Sequence, residues 1–165
     1  MVKIIPLPTV TSDGVTGTQF IEIWKEKNKK TFFYQSVEDM LMSKSFNKNL
    51  TKEVIYNPVI VDYRDFPKEK RFFSKIIKEA IDFGCVEPPV ELATILRLKL
   101  TNKEIKKLGF DWLIPVHKPL VVSNKKLRFI IDSREKEFPF DTFGVDNLPS
   151  SDTGLIFLLP VKNKK

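Results

Sequence analysis

The sequence predicts an α+β fold in which N-terminal helices pack on a small, mainly antiparallel C-terminal sheet. Three observations predict it. Between residues 18 and 108, apolar residues recur at helical spacing behind recognisable caps. From Asp111 onward the pattern turns to β-branched and aromatic residues in alternation. "LIFLLPV", Leu155 to Val161, is a near-continuous apolar run of strand length. With 165 residues, 42% of them hydrophobic and 14 of them Phe, the chain can build a core without disulfide or metal. A single domain over residues 1–165 is expected, with a short flexible arm over about 1–16 and a basic tail over about 162–165.

Taken in order, "TSDGVTG" (Thr11 to Gly17) is a loop by composition. "TQFIEIWKEKNKK" sets Phe20, Ile21 and Trp24 on one helical face with Thr18 as N-cap, while the alternation of Ile21 and Ile23 is the competing strand reading. Ser36 with Asp39 three residues on resembles a capping box and opens a helix to about residue 46. "EVIYNPVIVDY" reads as an extended segment interrupted at Pro58, which suits an edge strand. "DFPKEKRFFSKIIKEAIDFG" is the clearest helix. Asp65 stands as N-cap, Pro67 sits early and Gly84 ends it; Phe72, Phe73, Ile76, Ile77, Ala80 and Ile81 line one face. A helix follows Pro88-Pro89 to about Lys99, and Thr101 with Glu104 caps a short second one that ends at Gly109.

This tight helix pair has the outline of a DNA-reading helix-turn-helix. A reader needs a further helix for the major groove, and the next stretch, "DWLIPVHKPLVV", carries Pro115 and Pro119, each of which would break one. "DWLIPVH" therefore reads as a strand. "LVVSNKKLRFIID" reads as a hairpin with Asn124-Lys125 at the turn and Leu127, Phe129 and Ile131 on one face. "FPFDTFGVDNLPSSDTG" is loop-rich, and "LIFLLPV" is a central strand buried on both sides.

The net charge is +7, spread as +2, +3 and +2 over residues 1–50, 51–110 and 111–165. Lys outnumbers Arg by 23 to 5, whereas base readers favour the bidentate guanidinium. Lys, Ile, Asn and Phe are what an AT-rich genome supplies in excess, so the charge has a compositional explanation. One Cys and one His exclude an internal disulfide and a multi-cysteine zinc site. Six Gly leave no phosphate-binding loop or dinucleotide fingerprint. No apolar run approaches the roughly 18 residues that span a bilayer, and "MVKIIPLPTV" lacks a signal-peptide core, so a cytoplasmic protein is expected.

"GTQFIEIW", "EPPVELATIL", "LTNKEIKKLGFDW", "IPVHKPL" and "TGLIFLLP" together resemble an uncharacterised family of short bacterial proteins of reduced-genome lineages. The resemblance spans nearly the whole chain but implies no activity, ligand or catalytic residue. Where such chains carry a Ser-Asp-Gly loop after the His-x-Pro, this one has "VVSNKKL".

Two segments look alike, "VIVDYRDFPKEKRFF" and "RFIIDSREKEFPF", each with an acid at a strand end followed by Arg and another acid. The pattern resembles the opening of repair-type nucleases, whose carboxylates gather around a divalent ion, although the second-half Glu-x-Lys is missing. The plainer reading pairs Asp with Arg at the surface. Asp62, His117, Asp132 and Glu135 form the candidate polar cluster. His117 lies between two prolines with no nucleophile motif nearby, so a backbone-bonded imidazole is the expected role. Cys85 is read as a small buried apolar residue.

Two functions follow. The first is a non-catalytic binding or accessory protein of the cytoplasm that meets a protein partner through exposed apolar residues around Trp112, Phe138 and Phe140. The alternative is a nucleic-acid-associated protein that uses Lys68, Arg71, Lys75 and Lys78, with or without metal-dependent nuclease activity. No cofactor, no resident metal and no membrane partner are expected.

Overall fold

In the computed structural model, which describes residues 2–134, 137–144 and 150–161, the elements run β1 (Ile4–Pro6), β2 (Val10–Asp13), α1 (Gly17–Lys27), α2 (Gln35–Met42), α3 (Lys44–Asn47) and β3 (Lys52–Asp62). Two 3-10 turns (Tyr63–Asp65 and Lys68–Lys70) lead to α4 (Phe73–Asp82), α5 (Glu91–Lys99) and α6 (Asn102–Lys107). The chain continues as β4 (Trp112–Pro115), β5 (Leu120–Val122), β6 (Lys125–Asp132), β7 (Asp141–Gly144) and β8 (Thr153–Leu159). The fold is α+β, but the expected order is corrected: strands come first and the sheet draws on both ends of the chain. Residues 4–13, read as part of an arm, form two strands. The basic tail over 162–165 lies outside the described residues.

The sheet order is β1-β3-β8-β4-β6-β5, with β2 also on β3 and β7 also on β6. Every pairing is antiparallel except β4 with β8. β3 is not an edge strand. It pairs with β8 over Asn57–Asp62 and, on its other side, with β1 and then β2. The registers of β1 and β2 against β3 differ by one residue, so the two are one edge broken at Leu7–Thr9. Pro58 survives in mid-strand because its carbonyl, accepting from Leu7 N–H at 2.9 Å, points to that break. Its missing N–H faces the same gap rather than β8.

Alternation along the strands feeds two cores. Ile60, Leu113, Phe129, Ile131 and Ile156 face α1, α2, α5 and the buried Phe46 and Ile105. Val59, Val61, Ile114, Leu155 and Phe157 face Phe73, Ile76 and Ala80 of α4. The two-sided burial of β8 explains why its sequence is apolar throughout.

Several local boundaries move. α1 is capped by Thr16 with Gln19 in a reciprocal box, not by Thr18. Ser43 is extended and ends α2; its hydroxyl accepts the Phe46 N–H and opens α3. α4 starts at Phe73, eight residues past Asp65. Phe66 is buried in the second core, and the Arg71 guanidinium holds the Phe66 and Arg64 carbonyls, which pins residues 63–72 as turns. Its outer side leaves Phe72 and Ile81 exposed. α6 has the expected Thr101–Glu104 box, and Gly109 follows it at φ +88°. The hairpin turn is Ser123-Asn124, both at positive φ, one residue earlier than expected. Residues 141–144, read as loop, pair with β6.

The start of α1 crosses the end of α2 at contact distance. Asn47 joins them: its side chain accepts the Gly17 N–H at 3.0 Å and donates to the carbonyl oxygens of Leu41 and Ser43. A Cβ at Gly17 would sit 1.8 Å from the Leu41 carbonyl oxygen. Gly17→Ala is therefore expected to destabilise by more than about 2 kcal/mol in urea unfolding, since backbone must move; a change within error would refute this close approach.

Candidate functional site

β3 and β6 run in the same direction and both end in a buried carboxylate, Asp62 and Asp132. Each is closed by the Arg two residues on. The Arg64 N–H donates to Asp62 Oδ1 at 2.8 Å, and its guanidinium donates to both carboxylate oxygens. The Arg134 N–H donates to Asp132 Oδ1 at 2.9 Å, with Nη2 on Oδ2 at 3.0 Å. Trp112 Nε1 adds a third donor to Asp132 at 3.0 Å. The guanidinium groups then lie over aromatic rings of one segment, Arg64 over Phe110 and Arg134 over Trp112 at 4.0 Å. Burial opposes ionisation of both carboxyls, but the arginine hydrogen bonds outweigh it and hold each below the usual carboxylate range.

These two acids do not meet. Two strands, β8 and β4, separate them, a distance of about 14 Å at ordinary strand spacing. The alternation also puts Asp62 on the face of Ile60 and Asp132 on that of Ile130. His117 lies beyond the far end of β4, about 16 Å along the strand from Trp112. Glu135 lies outside the described residues. Among the described residues, no group of three or more His, Cys, Asp and Glu could hold a metal ion.

His117 is fully buried. Its Nε2 accepts the Phe129 N–H at 3.3 Å, so Nδ1 carries the proton and donates to the Lys118 carbonyl at 2.6 Å. Its own carbonyl accepts from Arg128 Nε. Burial lowers the imidazole to about 4, opposed by the Lys118 hydrogen bond and helped by Arg128. A neutral ring with both nitrogens engaged has no proton to exchange with a substrate. Cys85 is buried, and burial pushes its thiol up, away from the reactive thiolate.

The candidate contact residues divide. Phe140 is core, 1% exposed, and packs on Phe20 and Phe129. Trp112 is half-buried beneath Arg134. Phe138 stacks on Tyr34 at 4.4 Å and leans on Phe32, and these two partners are 42% and 58% exposed. The expected basic face on α4 is partly spent on structure: Lys78 pairs with Asp82 at 2.6 Å, Arg71 holds carbonyls, and Lys75 sits over Phe72. Lys68 is exposed.

Sequence reasoning missed buried charged groups, among them Arg128 and two on α5. Glu91, 3% exposed, accepts from the Thr51 N–H, the Thr51 hydroxyl at 2.5 Å and the Tyr56 hydroxyl at 2.8 Å, tying α5 to β3. Burial, with Glu91 alongside, raises the Tyr56 hydroxyl, although the Thr51 hydrogen bond opposes it. Arg97, also 3% exposed, holds the Pro139 carbonyl at 2.7 Å. Glu91 and Arg97 sit inside the helix read at Pro88–Lys99, where helical spacing alone would have placed them beside Leu92 and Leu96. Three lysines of α6, Lys103, Lys106 and Lys107, line a cleft of about 450 Å³ with Asn102, Ser133 and Arg134.

No family model matches the chain, and no curated protein or solved structure matches it either.

His117 sets an acid sensitivity. Its folded value lies below the ordinary one, so the unfolded chain takes up a proton near pH 6.5 that the folded chain refuses until about pH 4. Stability is unaffected above that window and falls as pH drops through it. His117→Gln keeps a donor and an acceptor but cannot titrate. Between pH 7 and 4.5 the variant should lose about 2–3 kcal/mol less than the wild type by urea unfolding. The contributions of Asp62 and Asp132, also lost on acidification, cancel in that comparison. Equal losses would show that His117 titrates normally.

Proposed function

We propose that this protein is a non-catalytic binding or accessory protein of the cytoplasm that acts through protein contacts. The observation that carries the reading is the aromatic group Phe32, Tyr34 and Phe138, which leaves two large rings substantially in water. Exposed aromatics of this kind are the usual anchors of protein interfaces. The state of the reactive side chains supports it too: Asp62 and Asp132 are closed by arginine, His117 is neutral and enclosed, and Cys85 is buried. No described helix is long and apolar enough to cross a membrane. Phe32→Ser should leave unfolding stability within about 0.5 kcal/mol. It should weaken binding to the protein partner captured by the wild type at least about tenfold, measured by titration of that partner. Equal affinity, or a wild type that captures no partner, would sink the reading.

A second reading, association with nucleic acid through a lysine-rich surface, moves from α4 to the cleft beside α6. Lys103, Lys106 and Lys107 share one side of a single helix at i, i+3 and i+4, and among the described residues no carboxylate lines the cleft with them. The nuclease form of this reading gains no support from Asp62 and Asp132, which lie far apart. On this reading, a labelled single strand binds at low salt, and Lys103→Ala with Lys107→Ala lowers the slope of log affinity against log salt by about 1.4. Fluorescence anisotropy that detects no binding at low salt ends it.

A further inference from the structure

Arg97 is a buried cation with no carboxylate in ion-pair contact among the described residues; Asp132 acts on it only at longer range. Its three hydrogen bonds go to neutral acceptors: Nε to the Pro139 carbonyl at 2.7 Å, Nη2 to Asn102 Oδ1 at 2.8 Å, and a long one from Nη1 to the Leu100 carbonyl at 3.4 Å. None of the ion pairs among the described residues includes it. A guanidinium carries five N–H groups, so one on each terminal nitrogen has no acceptor. Enclosing a charge without a contacting counter-ion is costly, and burial lowers Arg97 to about 10 although the more distant Asp132 carboxylate opposes the shift.

Beneath the guanidinium, at 4.7 Å, lies the ring of Trp24. Trp24 is 7% exposed, and its Nε1 is the one buried side-chain nitrogen or oxygen with no hydrogen-bond partner at all among the described residues. A native core rarely leaves such a group unpaired without a reason. The two residues line the same cleft, of about 340 Å³, which the end of α1 closes with Lys27 and Asn28 and the α5–α6 turn closes with Thr101 and Asn102. Cation–π stacking on Trp24 and the tether to Pro139 account for where the Arg97 side chain lies. They do not account for the unused donors of two residues that both line one cavity.

We propose that this cleft binds the carboxylate of a small organic acid, with the Arg97 guanidinium supplying the charge and the Trp24 indole N–H a directed hydrogen bond. One buried cation with neutral donors matches a singly charged anion better than a phosphate. The volume suits a small molecule at the low end of the usual range, about 300–1,000 Å³. The exposed Lys27 at the rim draws the anion in.

The test is NMR of the ¹⁵N-labelled full chain, which has two indole N–H signals, that of Trp24 being the one missing in Trp24→Phe. Acetate, benzoate and inorganic phosphate are titrated at constant ionic strength against chloride. The expected result is a saturable shift of the Trp24 signal with Trp112 unmoved, at lower concentration for a carboxylate than for phosphate. Trp24→Phe removes the N–H together with part of the indole, so some stability is lost to the cavity; measured at a temperature where it is fully folded, it should bind the acid about tenfold more weakly by calorimetry. Arg97→Gln, if folded, should abolish binding, while Phe32→Ser should bind as the wild type does, since this site is independent of the aromatic contact surface. A Trp24 signal that stays fixed up to tens of millimolar acid, a preference for phosphate, or equal affinity in Trp24→Phe overturns the proposal.

Discussion

The sheet depends on one backbone constraint: β3 must be hydrogen-bonded along both edges although a proline stands in its middle. The constraint is met because the missing donor of Pro58 faces the three residues where β1 gives way to β2. Had the ring pointed the other way, β3 would have lost a bond to β8, and β8 carries β4 and through it β6. The one-residue change of register between β1 and β2 is thus the complement of Pro58, and the N-terminal residues are needed to complete the sheet.

With β3 central, two strands deliver acidic ends to the same end of the sheet, and the chain treats both alike. The Asp-x-Arg closure uses one carboxylate to bind a backbone N–H and a guanidinium, and an aromatic of residues 110–112 to support that guanidinium. The arrangement ends a strand without leaving a buried charge unpaired. It also takes these acids out of reactive chemistry. His117 is treated likewise at the opposite end. Among the described residues, polar groups left without such a role include the lysines of α6, and the donors of Arg97 and Trp24 beside α5.

Much of the local structure was legible. The Thr101–Glu104 box, Gly109 behind it, the helix over 91–99, the β5–β6 hairpin and the two-sided burial of β8 all follow from residues within a turn or two of one another. The misreadings share a cause. Asp65 and Pro67 make a plausible helix start, but the buried Phe66 and the carbonyls held by Arg71 pull residues 63–72 out of it. Residues 4–13 look like an arm because two prolines interrupt them and their partner is some fifty residues away. The likeness of the two Asp-Arg segments was legible as well, but their separation was not, since it is set by two strands inserted between them.

The sequence by itself determined most of the helices and the strands from Asp111 to Asp132 and at Leu155, which of their faces are apolar, and that one cysteine and one histidine cannot build a multi-cysteine metal centre. These depend on periodicity, capping and composition, which act over a few residues. Only the tertiary structure decided that Pro58 lies in a central strand, that Asp62 and Asp132 stay apart, and that Arg97 is buried against Trp24 with donors left over. Each of those depends on which distant segments pair and in what register, and that is fixed by long-range backbone hydrogen bonds and shared burial rather than by any local run of residues.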